Sequence, residues 1–390
     1  MRLTKSFNKD DCQEEKRIII YGAGRYGELA YYGLASLGIK VDYFIDRSLY
    51  GKKFLGIDVL SPDNLGDYAQ NIFLIASLNY FQDMYLNLQS VDAKYVYDIL
   101  ELLKLDYDES VLSEYLLDEK HNISKYENVI NNMDLDKLIV NHVELVLTEK
   151  CSLRCKDCAN FMQYYNCPEN IVYSDIVKTF DRFLDTIDGL LDLRLLGGEP
   201  FLYKDIDKII DRYKDDDRIK RITIYTNSTI IPSETVLKSL VHKKVFVHQS
   251  NYGVVSRKVN ELDLLFKENN IQHYIHIYDK WLNIGAPKLH NYNDIALNKI
   301  FNDCVMAKCF SFYRGRLYIC PRAAHGERLG FFKNNDNEIV DFNEEITDIE
   351  QKRTEISALI SKSDYIEACK YCNGSSSKSQ EIDAAVQMKM

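Results

Sequence analysis

Three cysteines in one short loop carry the clearest chemical signal in this sequence. Cys151, Cys155 and Cys158 follow the spacing C-x3-C-x2-C. Three thiolates on a tight loop can bind three irons of a [4Fe–4S] cluster, whose usual ligand set is four cysteines. The fourth iron would then remain open to bind a molecule that reacts. A structural zinc site is the alternative, but such sites usually arrange their cysteines as two separate C-x2–4-C pairs.

A glycine-rich segment further along the chain accompanies the cysteine loop. Gly197, Gly198, Glu199 and Pro200 follow an apolar run at residues 193–196. Loop and segment together resemble the radical SAM superfamily, in which the open iron binds the amino and carboxylate groups of S-adenosylmethionine. The resemblance implies that these four residues lie along the methionine amino group. Glycines suit this position because a side chain would block the approach of the backbone to an ammonium group.

Two later strand ends offer further cofactor contacts. Thr226 and Asn227 follow a predicted strand at residues 221–225, and Ser250 follows another at residues 244–248. The resemblance implies that they contact the ribose or the carboxylate, whereas an ordinary polar turn is the alternative. The superfamily usually has an aromatic residue before the third cysteine. Here Asp157 occupies that position, which puts the adenine-stacking contact in doubt.

The last part of the chain carries a second set of cysteines: Cys309, Cys320, Cys369 and Cys372. Their arrangement resembles the twitch domain, a shortened SPASM domain that holds one auxiliary [4Fe–4S] cluster. Gly315 fits a hairpin turn between strands at residues 310–312 and 317–319, which would bring Cys309 and Cys320 together. A four-cysteine zinc site is the alternative, since the same ligands suit both metals.

Other polar residues near the second cysteine set are candidates for catalysis. Cys304 is a fifth thiol that could replace one of the four ligands or return a hydrogen atom to a substrate radical. Arg322 and His325 lie in sequence beside the presumed cluster and could face the substrate, or they could form structural hydrogen bonds. Cys12 and Cys167 fit neither set, and we predict that they are unligated.

The beginning of the chain predicts a Rossmann-like nucleotide-binding domain. A strand at residues 17–21 is followed by a helix at residues 25–37 and a second strand at residues 40–45. The turn between the first strand and the helix contains the pattern G-x-G-x-x-G at Gly22, Gly24 and Gly27. Such glycines let the backbone approach a phosphate, and Asp46 lies near the offset at which an acidic residue contacts a ribose.

The ligand of this first domain is less well specified than its fold. Residues 44–48 and 51–60 resemble the N-terminal domains of sugar acetyltransferases, which bind nucleotide-sugars. NAD is the rival ligand. The glycines could also form a tight turn that binds nothing, and Asp46 could cap a turn.

From residue 141 the chain alternates between strands and helices, as a β/α barrel requires. The resemblance implies a partial (β/α)6 barrel, and its motifs follow strand ends, where barrel enzymes place their chemistry. Five strands are predicted, at residues 142–147, 193–196, 221–225, 244–248 and 272–277, with the sixth unassigned, and helices at residues 174–191 and 206–213. The α/β chain therefore divides into a Rossmann-like domain (1–105), a helical linker (106–140), a radical SAM barrel (141–300) and a twitch-type domain (301–390).

Composition excludes several classes of protein. The net charge of −10 over 390 residues argues against a nucleic-acid surface. The beginning of the chain has no apolar signal-peptide segment, and no apolar run is long enough to span a membrane. We therefore expect a cytoplasmic protein whose cysteines bind metal rather than form disulfides. The tail after Gly374 is rich in serine, and we expect it to be mobile.

The resemblance implies a function as well as a fold. Reduction of the first cluster cleaves S-adenosylmethionine to a 5′-deoxyadenosyl radical, which abstracts hydrogen from the substrate. A flavodoxin- or ferredoxin-type protein is the expected electron donor. Because the first domain resembles domains that bind nucleotide-sugars, we predict that the protein oxidises or epimerises a nucleotide-sugar in polysaccharide biosynthesis. The alternative enzymatic function is that of a SPASM-type maturase, which modifies a ribosomally made peptide. The alternative without enzymatic activity is a scaffold protein that binds zinc.

Overall fold

The computed structural model describes residues 3–13, 15–47, 49–78, 80–134, 137–376 and 379–388. The chain divides into two compact units, Met1–Asp136 and Lys137–Met390. Within the described residues, every helix is too short or too polar to span a membrane. The predicted division into four segments stays a prediction.

The first unit is a mixed α/β unit with a largely parallel sheet. Its strands are β1 (Lys5–Ser6), β2 (Ile18–Tyr21), β3 (Tyr43–Ile45), β4 (Lys53–Phe54), β5 (Ile57–Leu60), β6 (Ile72–Ile75) and β7 (Tyr95–Asp98). Its helices are α1 (Arg25–Ser36), α2 (Phe81–Ser90), α3 (Leu100–Lys104), α4 (Glu114–His121) and α5 (Ser124–Asn132). The strand order is β1-β7-β6-β2-β3-β5-β4. Among the described strands of this unit, only the pairing of β4 with β5 is antiparallel. Strands β2 and β6 are buried along their whole length, which explains their continuous apolar sequences.

The second unit contains the cysteines of both predicted clusters. Its strands are β8 (Ile139–Thr148), β9 (Gly189–Gly197), β10 (Ile222–Thr226), β11 (Val245–Asn251), β12 (His273–Ile277), β13 (Lys280–Leu282), β14 (Ser311–Tyr313), β15 (Arg316–Tyr318), β16 (Ile339–Asp341) and β17 (Glu381–Asp383). Its helices are α6 (Tyr173–Leu184), α7 (Ile206–Tyr213), α8 (Glu234–Leu240), α9 (Val259–Glu268), α10 (Asp294–Asp303), α11 (Pro321–Arg328) and α12 (Ile349–Ser361).

The main sheet of the second unit is parallel over the region predicted to form the barrel. Its order is β12-β11-β10-β9-β8-β14-β15-β16, and the pairings from β12 to β14 are parallel. The five predicted strands correspond to β8 to β12. A further parallel strand, β14, pairs with β8 and begins the predicted hairpin. This arrangement confirms the α/β class with parallel sheets.

Alternating residues give this sheet two different faces. One face carries aliphatic residues such as Leu145, Leu195 and Ile224, which join the hydrophobic core with helices α6 and α7. The other face, which we call the polar face, carries charged, imidazole and hydroxyl groups. Its members are His142, Glu144, Asp192, Arg194, Thr223, Tyr225, His248, Tyr274 and His276. The polar groups on this face hydrogen-bond to one another, as between Asp192 and Thr223 and between His248 and Tyr274, which satisfies them away from water.

Two local predictions have different outcomes. The hairpin is confirmed, because β14 and β15 are antiparallel around Arg314 and Gly315, which both have positive φ, as a two-residue turn requires. The helix predicted at residues 174–191 is too long, because α6 ends at Leu184 and β9 begins at Gly189. The apolar residues of the β9 start continue the helical spacing by coincidence, and periodicity alone does not separate the two elements.

The residues that follow the serine-rich segment make long-range contacts, and the mobility of that segment stays a prediction. Strand β17 pairs with β13, and the residues that follow hydrogen-bond to the first cysteine loop. Ser377 and Lys378, which belong to the predicted mobile segment, lie outside the described residues. The contacts of the tail join positions more than a hundred residues apart, so local composition carried no sign of them.

Candidate functional site

The first cysteine loop begins where β8 ends and contains three thiols in a buried environment. Burial raises the pKa of Cys151 above its ordinary value, and the pKa of Cys155 to about 11. The neighbouring thiol of Cys158 adds to both shifts, which shows that the three side chains lie close together. Buried thiolates need a cationic partner, because desolvation penalises the charged form. The donor set therefore fits an iron–sulfur cluster.

The glycine-rich segment lies directly against this loop. The backbone N–H of Gly198 donates to the carbonyl of Thr148, and that of Glu199 donates to the carbonyl of Lys150, each at 2.8 Å. A Cβ atom on Gly197 would lie 2.2 Å from the Thr148 oxygen, and one on Gly198 would lie 2.1 Å from the Lys150 oxygen. These glycines are therefore required by packing against the cysteine loop. Their predicted contact with the methionine amino group stays a prediction.

Glu199 joins the glycine segment to the end of β10. Its buried carboxylate accepts hydrogen bonds from the Thr226 hydroxyl at 2.9 Å and the Asn227 backbone N–H at 2.8 Å. Burial raises the pKa of Glu199 to about 7 in spite of these donors. Pro200 begins the short 3-10 turn that follows. Glu199 thus holds two motifs together, because its oxygens face residues of this chain.

Asn227 extends the connection to the cysteines themselves. Its amide nitrogen Nδ2 lies 3.1 Å from the Ser152 hydroxyl and 3.6 Å from the Cys151 sulfur. The structure therefore brings Asn227 to the cysteine loop and Thr226 to Glu199. Their contact with ribose or carboxylate stays a prediction.

Ser250 lies at the end of β11, and its neighbour Tyr252 was not selected from the sequence. Burial raises the pKa of the Tyr252 hydroxyl, and the thiols of Cys155, Cys158 and Cys151 add to the shift. The Tyr252 ring also packs edge-on against Trp281, with centroids 5.4 Å apart. Tyr252 lies four residues after the end of a predicted strand, and this position near a strand end is the one sequence signal that could have identified it.

Glu149 is a second functional residue that sequence reasoning missed. Its fully buried carboxylate, between β8 and Cys151, accepts hydrogen bonds from the Tyr313 hydroxyl, Arg314 and Arg328. The backbone N–H of Glu169 adds a fourth donor at 2.9 Å. Burial would raise the pKa of Glu149, but these donors hold it below its ordinary value. A charged residue at the end of an apolar strand was the available signal.

The second cysteine set surrounds a small, largely apolar cavity. The four thiols that line this cavity belong to Cys304, Cys320, Cys369 and Cys372. Ile284, Ile300, Phe301, Ala307, Ile366 and Ala368 supply much of the remaining wall. Burial raises the pKa of Cys304 and Cys320, and that of Cys369 to about 12. Four thiols in a dry enclosure fit an auxiliary cluster.

Cys309 was predicted as a ligand of this set but does not line the cavity. Its thiol donates toward the Val305 carbonyl at 3.8 Å. Burial raises the pKa of Cys309, the Glu144 carboxylate raises it further, and Arg194 opposes the shift. Glu144 and Arg194 belong to the polar face, and the thiols of Cys304 and Cys320 also raise this pKa, so Cys309 lies between the polar face and the second cysteine set.

Arg322 lies between the two cysteine sets. It lines the second cavity, donates to the Tyr371 carbonyl at 3.0 Å and stacks over the Phe161 ring at 4.3 Å. Burial raises the pKa of Cys158, and the positive charge of Arg322 opposes that shift. Arg322 is only 4% exposed, so its charge is available to buried groups rather than to solvent.

His325 is fully buried next to the Glu149 network. Its Nδ1 pairs with the Tyr165 hydroxyl at 2.8 Å, and burial lowers its pKa to about 4. A neutral, packed histidine fits the structural alternative better than substrate contact. Cys12 and Cys167 are exposed and lie outside both cysteine sets, and their unligated state stays a prediction.

In the first unit, the glycine motif forms the turn between β2 and α1. A Cβ atom on Gly22 would lie 2.6 Å from the Ala76 oxygen, and one on Gly27 would lie 2.0 Å from the Gly22 oxygen, whereas one on Gly24 meets nothing within 4 Å. Gly24 precedes the first residue of α1, at the position where a phosphate would bind. The Asp46 carboxylate accepts from the backbone N–H of Ala23 and of Leu49.

The thiols of each cysteine set could serve zinc or an iron–sulfur cluster. Among the described residues, no three His, Cys, Asp or Glu side chains are arranged to hold one metal ion. A zinc site needs its donors around one ion, whereas each thiolate of a [4Fe–4S] cluster binds a different iron. Zinc therefore stays the alternative for the second cysteine set.

Comparison with known proteins agrees with this geometry. Residues 145–250 match the Radical SAM superfamily. The chain is 26% identical over 171 residues to a GTP 3′,8-cyclase of Clostridium botulinum (strain Hall), which covers 42% of this chain and 50% of the relative. It is 32% identical over 145 residues to a GTP 3′,8-cyclase of Aquifex aeolicus, which covers 33% of this chain and 43% of the relative. The chain thus spans about half the length of the relatives it matches.

A solved structure of anSMEcpe with bound AdoMet and the Cp18Cys peptide is also similar. It has 15% sequence identity and a TM-score of 0.39, and the match covers 57% of this chain and 81% of that chain. The superfamily match contains Cys151, Cys155 and Cys158, the glycine-rich segment and the ends of β10 and β11. A radical SAM domain implies a [4Fe–4S] cluster and S-adenosylmethionine. Residues 145–250 therefore form the radical SAM domain of this chain.

Proposed function

We propose that this radical SAM enzyme abstracts hydrogen from a small, hydroxyl-rich molecule and thereby oxidises or epimerises a nucleotide-sugar. The proposal places it in the cytoplasm, in polysaccharide biosynthesis, with a flavodoxin- or ferredoxin-type electron donor. The proposal rests on the polar face, where charged, aromatic and imidazole groups lie beside the Cys309 thiol.

The polar face has the groups that recognise hydroxyls and phosphates. Arg194 pairs with Asp192 through Nε at 3.0 Å, while Asp192 also accepts from Thr223 at 2.7 Å. The remaining guanidinium donors of Arg194 are suited to an anionic or hydroxyl group of a ligand. Burial raises the pKa of Glu144 to about 7, so this carboxyl group can accept or donate a proton near neutral pH.

Aromatic groups at the other side of this face would bind a ring. The His248 imidazole stacks on Tyr225 with centroids 4.5 Å apart, and its Nδ1 pairs with the Tyr274 hydroxyl at 2.7 Å. Its Nε2 lies 3.3 Å from the Tyr278 hydroxyl. Rigid rings that carry hydroxyl groups present both an apolar surface and hydrogen-bonding atoms, which matches the two kinds of surface on a sugar.

The residues of this chain would divide the work among three places. Cys151, Cys155 and Cys158 would hold the first cluster, and Asn227 and Glu199 would keep the surrounding motifs in position. When bound, this cluster and S-adenosylmethionine supply the radical that abstracts a hydrogen atom. The polar face would then orient the target carbon and exclude water.

The second cluster would have a ligand set different from the one predicted. We propose Cys304, Cys320, Cys369 and Cys372, because these four line the cavity and Cys309 does not. When bound, an auxiliary cluster can take up the electron that leaves a substrate during oxidation of an alcohol to a ketone.

Cys309 would then be the thiol that decides between oxidation and epimerisation. In epimerisation, the S–H bond of Cys309 breaks and a C–H bond forms on the opposite face of the substrate carbon. The sulfur radical then needs one electron from the ferredoxin-type donor and one proton from solvent. In oxidation, the substrate radical loses one further electron and its hydroxyl proton, and Cys309 is unchanged.

Iron content tests the ligand assignment. We expect Cys304→Ala to lower the iron content after anaerobic reconstitution, because it removes one of the four thiolates that would enclose the second cluster. Cys309→Ala should keep the full iron content, as should the exposed control Cys12→Ala. Loss of iron in Cys309→Ala, with full iron in Cys304→Ala, would restore the ligand set predicted from the sequence.

Turnover in D2O tests the reaction. Nucleotide-sugars are offered beside GTP, the substrate named for the cyclase relatives, and a panel of peptides. Deuterium incorporated at one sugar carbon, and absent with Cys309→Ala, would show epimerisation, whereas a ketone product that survives in Cys309→Ala would show oxidation. Conversion of only GTP or only a peptide would refute the sugar proposal.

A further inference from the structure

Residues 384–388, which we call the strap, run beside the first cysteine loop. The Lys156 N–H donates to the carbonyl of Val386 at 2.8 Å, and the Met388 N–H donates to the carbonyl of Arg154 at 2.9 Å. The Arg154 N–H in turn donates to Oε1 of Gln387 at 2.8 Å. These bonds attach the strap to the residues on either side of Cys155, the second cysteine of the loop.

Gln387 uses the other end of its amide to reach a cysteine. Its Nε2 donates to the Cys155 sulfur at 3.2 Å and to the Ala385 carbonyl at 2.7 Å. Because Oε1 already accepts from Arg154, the amide is oriented and its NH2 group must face the sulfur. Cys155 is 8% exposed, so this donor reaches a sulfur that is largely shielded from water.

The strap is held in place by the strand before it. Strand β17 pairs with β13, and the Ala384 N–H donates to the carbonyl of Asp279. Ala385 has a φ of 50° and is 2% exposed, so the chain turns there in a buried, left-handed conformation. The turn directs Gln387 at the cysteine loop.

We propose that Gln387 is a positioning residue that stabilises the reduced form of the first cluster through its hydrogen bond to the Cys155 sulfur. This inference rests on the cysteine loop holding that cluster. Reduction adds negative charge to the cluster and its thiolates, and a hydrogen-bond donor stabilises the more negative state. The strap also excludes water from the same sulfur. Exclusion of water acts in the opposite direction, because a less hydrated site penalises added negative charge, so the hydrogen bond is the effect that favours the reduced form.

The midpoint potential of the first cluster tests the proposal. Its EPR signal is identified in the reconstituted full chain by its change on addition of S-adenosylmethionine. Gln387→Glu keeps the oxygen that accepts from Arg154 but loses the donor to sulfur, and Gln387→Ala loses both. Val386→Ala is the matched control, since the Val386 side chain is 45% exposed and only its backbone joins the loop.

We expect the reduced-to-oxidised ratio at a fixed potential to fall on the order of tenfold in both Gln387 variants, or ~59 mV for a one-electron couple. Val386→Ala should match the wild type. Loss of cluster iron from both Gln387 variants, but not from Val386→Ala, would also support the hydrogen bond between Gln387 and Cys155. Equal potentials and equal iron in all three variants would overturn the proposal. A wild-type protein with no reducible cluster would overturn the radical SAM assignment as well, so the two failures are distinguishable.

Discussion

Buried polar residues next to the cysteine loop hold the first residues of that loop in place. The Glu149 carboxylate has two arginine partners and a tyrosine, and His325 lies against the same tyrosine with ring centroids 5.0 Å apart. A buried charge with several partners is costly to disturb, since removing one partner leaves the other unpaired. Arg314 and Arg328 come far later in the sequence than Glu149, so the network could not be predicted from local pattern.

His325 should make the second unit sensitive to acid. Its pKa is about 4 in the folded protein against an ordinary value of 6.5. Between these values the unfolded chain binds the proton more strongly, so stability is lost as pH falls through 6.5 and the loss levels off below 4. We expect His325 to contribute about 2 kcal/mol to the difference in unfolding free energy between pH 7 and pH 5.

Urea unfolding of the wild type and His325→Gln checks this prediction. Trp281 is the single tryptophan of the chain and lies in the second unit, so its fluorescence reports on the correct transition. The glutamine does not titrate, so the variant should lose less stability than the wild type over the same pH range. Parallel losses in the two proteins would contradict the assignment.

At the scale of elements, the contact between the β9 end and the cysteine loop should tolerate no added atom. We expect Gly198→Ala to cost about 2–3 kcal/mol of stability and to reduce cluster retention, because its Cβ would lie 2.1 Å from the Lys150 oxygen. Gly189→Ala in the same strand is the control, since its nearest neighbour is a movable Ile139 methyl at 3.0 Å. Chemical denaturation and iron content measure the two effects. Similar behaviour of both variants would refute the packing argument.

The turn between β2 and α1 gives the opposite expectation. Gly24 has open space around its Cα, so Gly24→Val should fold normally but occupy the place of a phosphate. Nucleotide-sugars should stabilise the wild type by about 2.7 kcal/mol at a hundredfold excess over Kd and leave Gly24→Val unchanged. Differential scanning calorimetry measures the shift, with Gly66→Val as the control in open space of the same unit. A shift with NAD alone would favour the rival ligand.

Elements were predicted from sequence where their signal was local. The strands β8 to β12 and the hairpin at Gly315 followed from apolar runs and turn residues. The end of α6 was misplaced because the start of β9 continued the helical spacing. The order in which the strands pair, and the parallel contact of β14 with β8, depend on residues distant in sequence and were left open.

At the scale of the whole molecule, the two cysteine sets show what spacing can and cannot predict. Cys151, Cys155 and Cys158 lie in one loop, so their grouping followed directly from the sequence. The second set is spread over residues 304–372, and its grouping depends on how the chain folds. Cys304 lines the cavity and Cys309 does not, a distinction that the spacing of the five thiols could not reveal.

The contact of the strap with Cys155 is the extreme case of the same limitation. Gln387 and Cys155 are separated by 232 positions, and the tail has a composition typical of mobile segments. No periodicity or motif joins them. The pairing of β17 with β13 supplies the constraint that sequence composition lacked.

Formation of 5′-deoxyadenosine tests the central claim most directly. The wild type, Cys151→Ala and the exposed control Cys167→Ala are reconstituted anaerobically with iron and sulfide and then reduced by dithionite with S-adenosylmethionine. We predict that the wild type and Cys167→Ala form 5′-deoxyadenosine and that Cys151→Ala forms none, because two thiolates cannot hold a cluster with one open iron. Formation by Cys151→Ala at the wild-type rate would contradict the assignment of the cysteine loop.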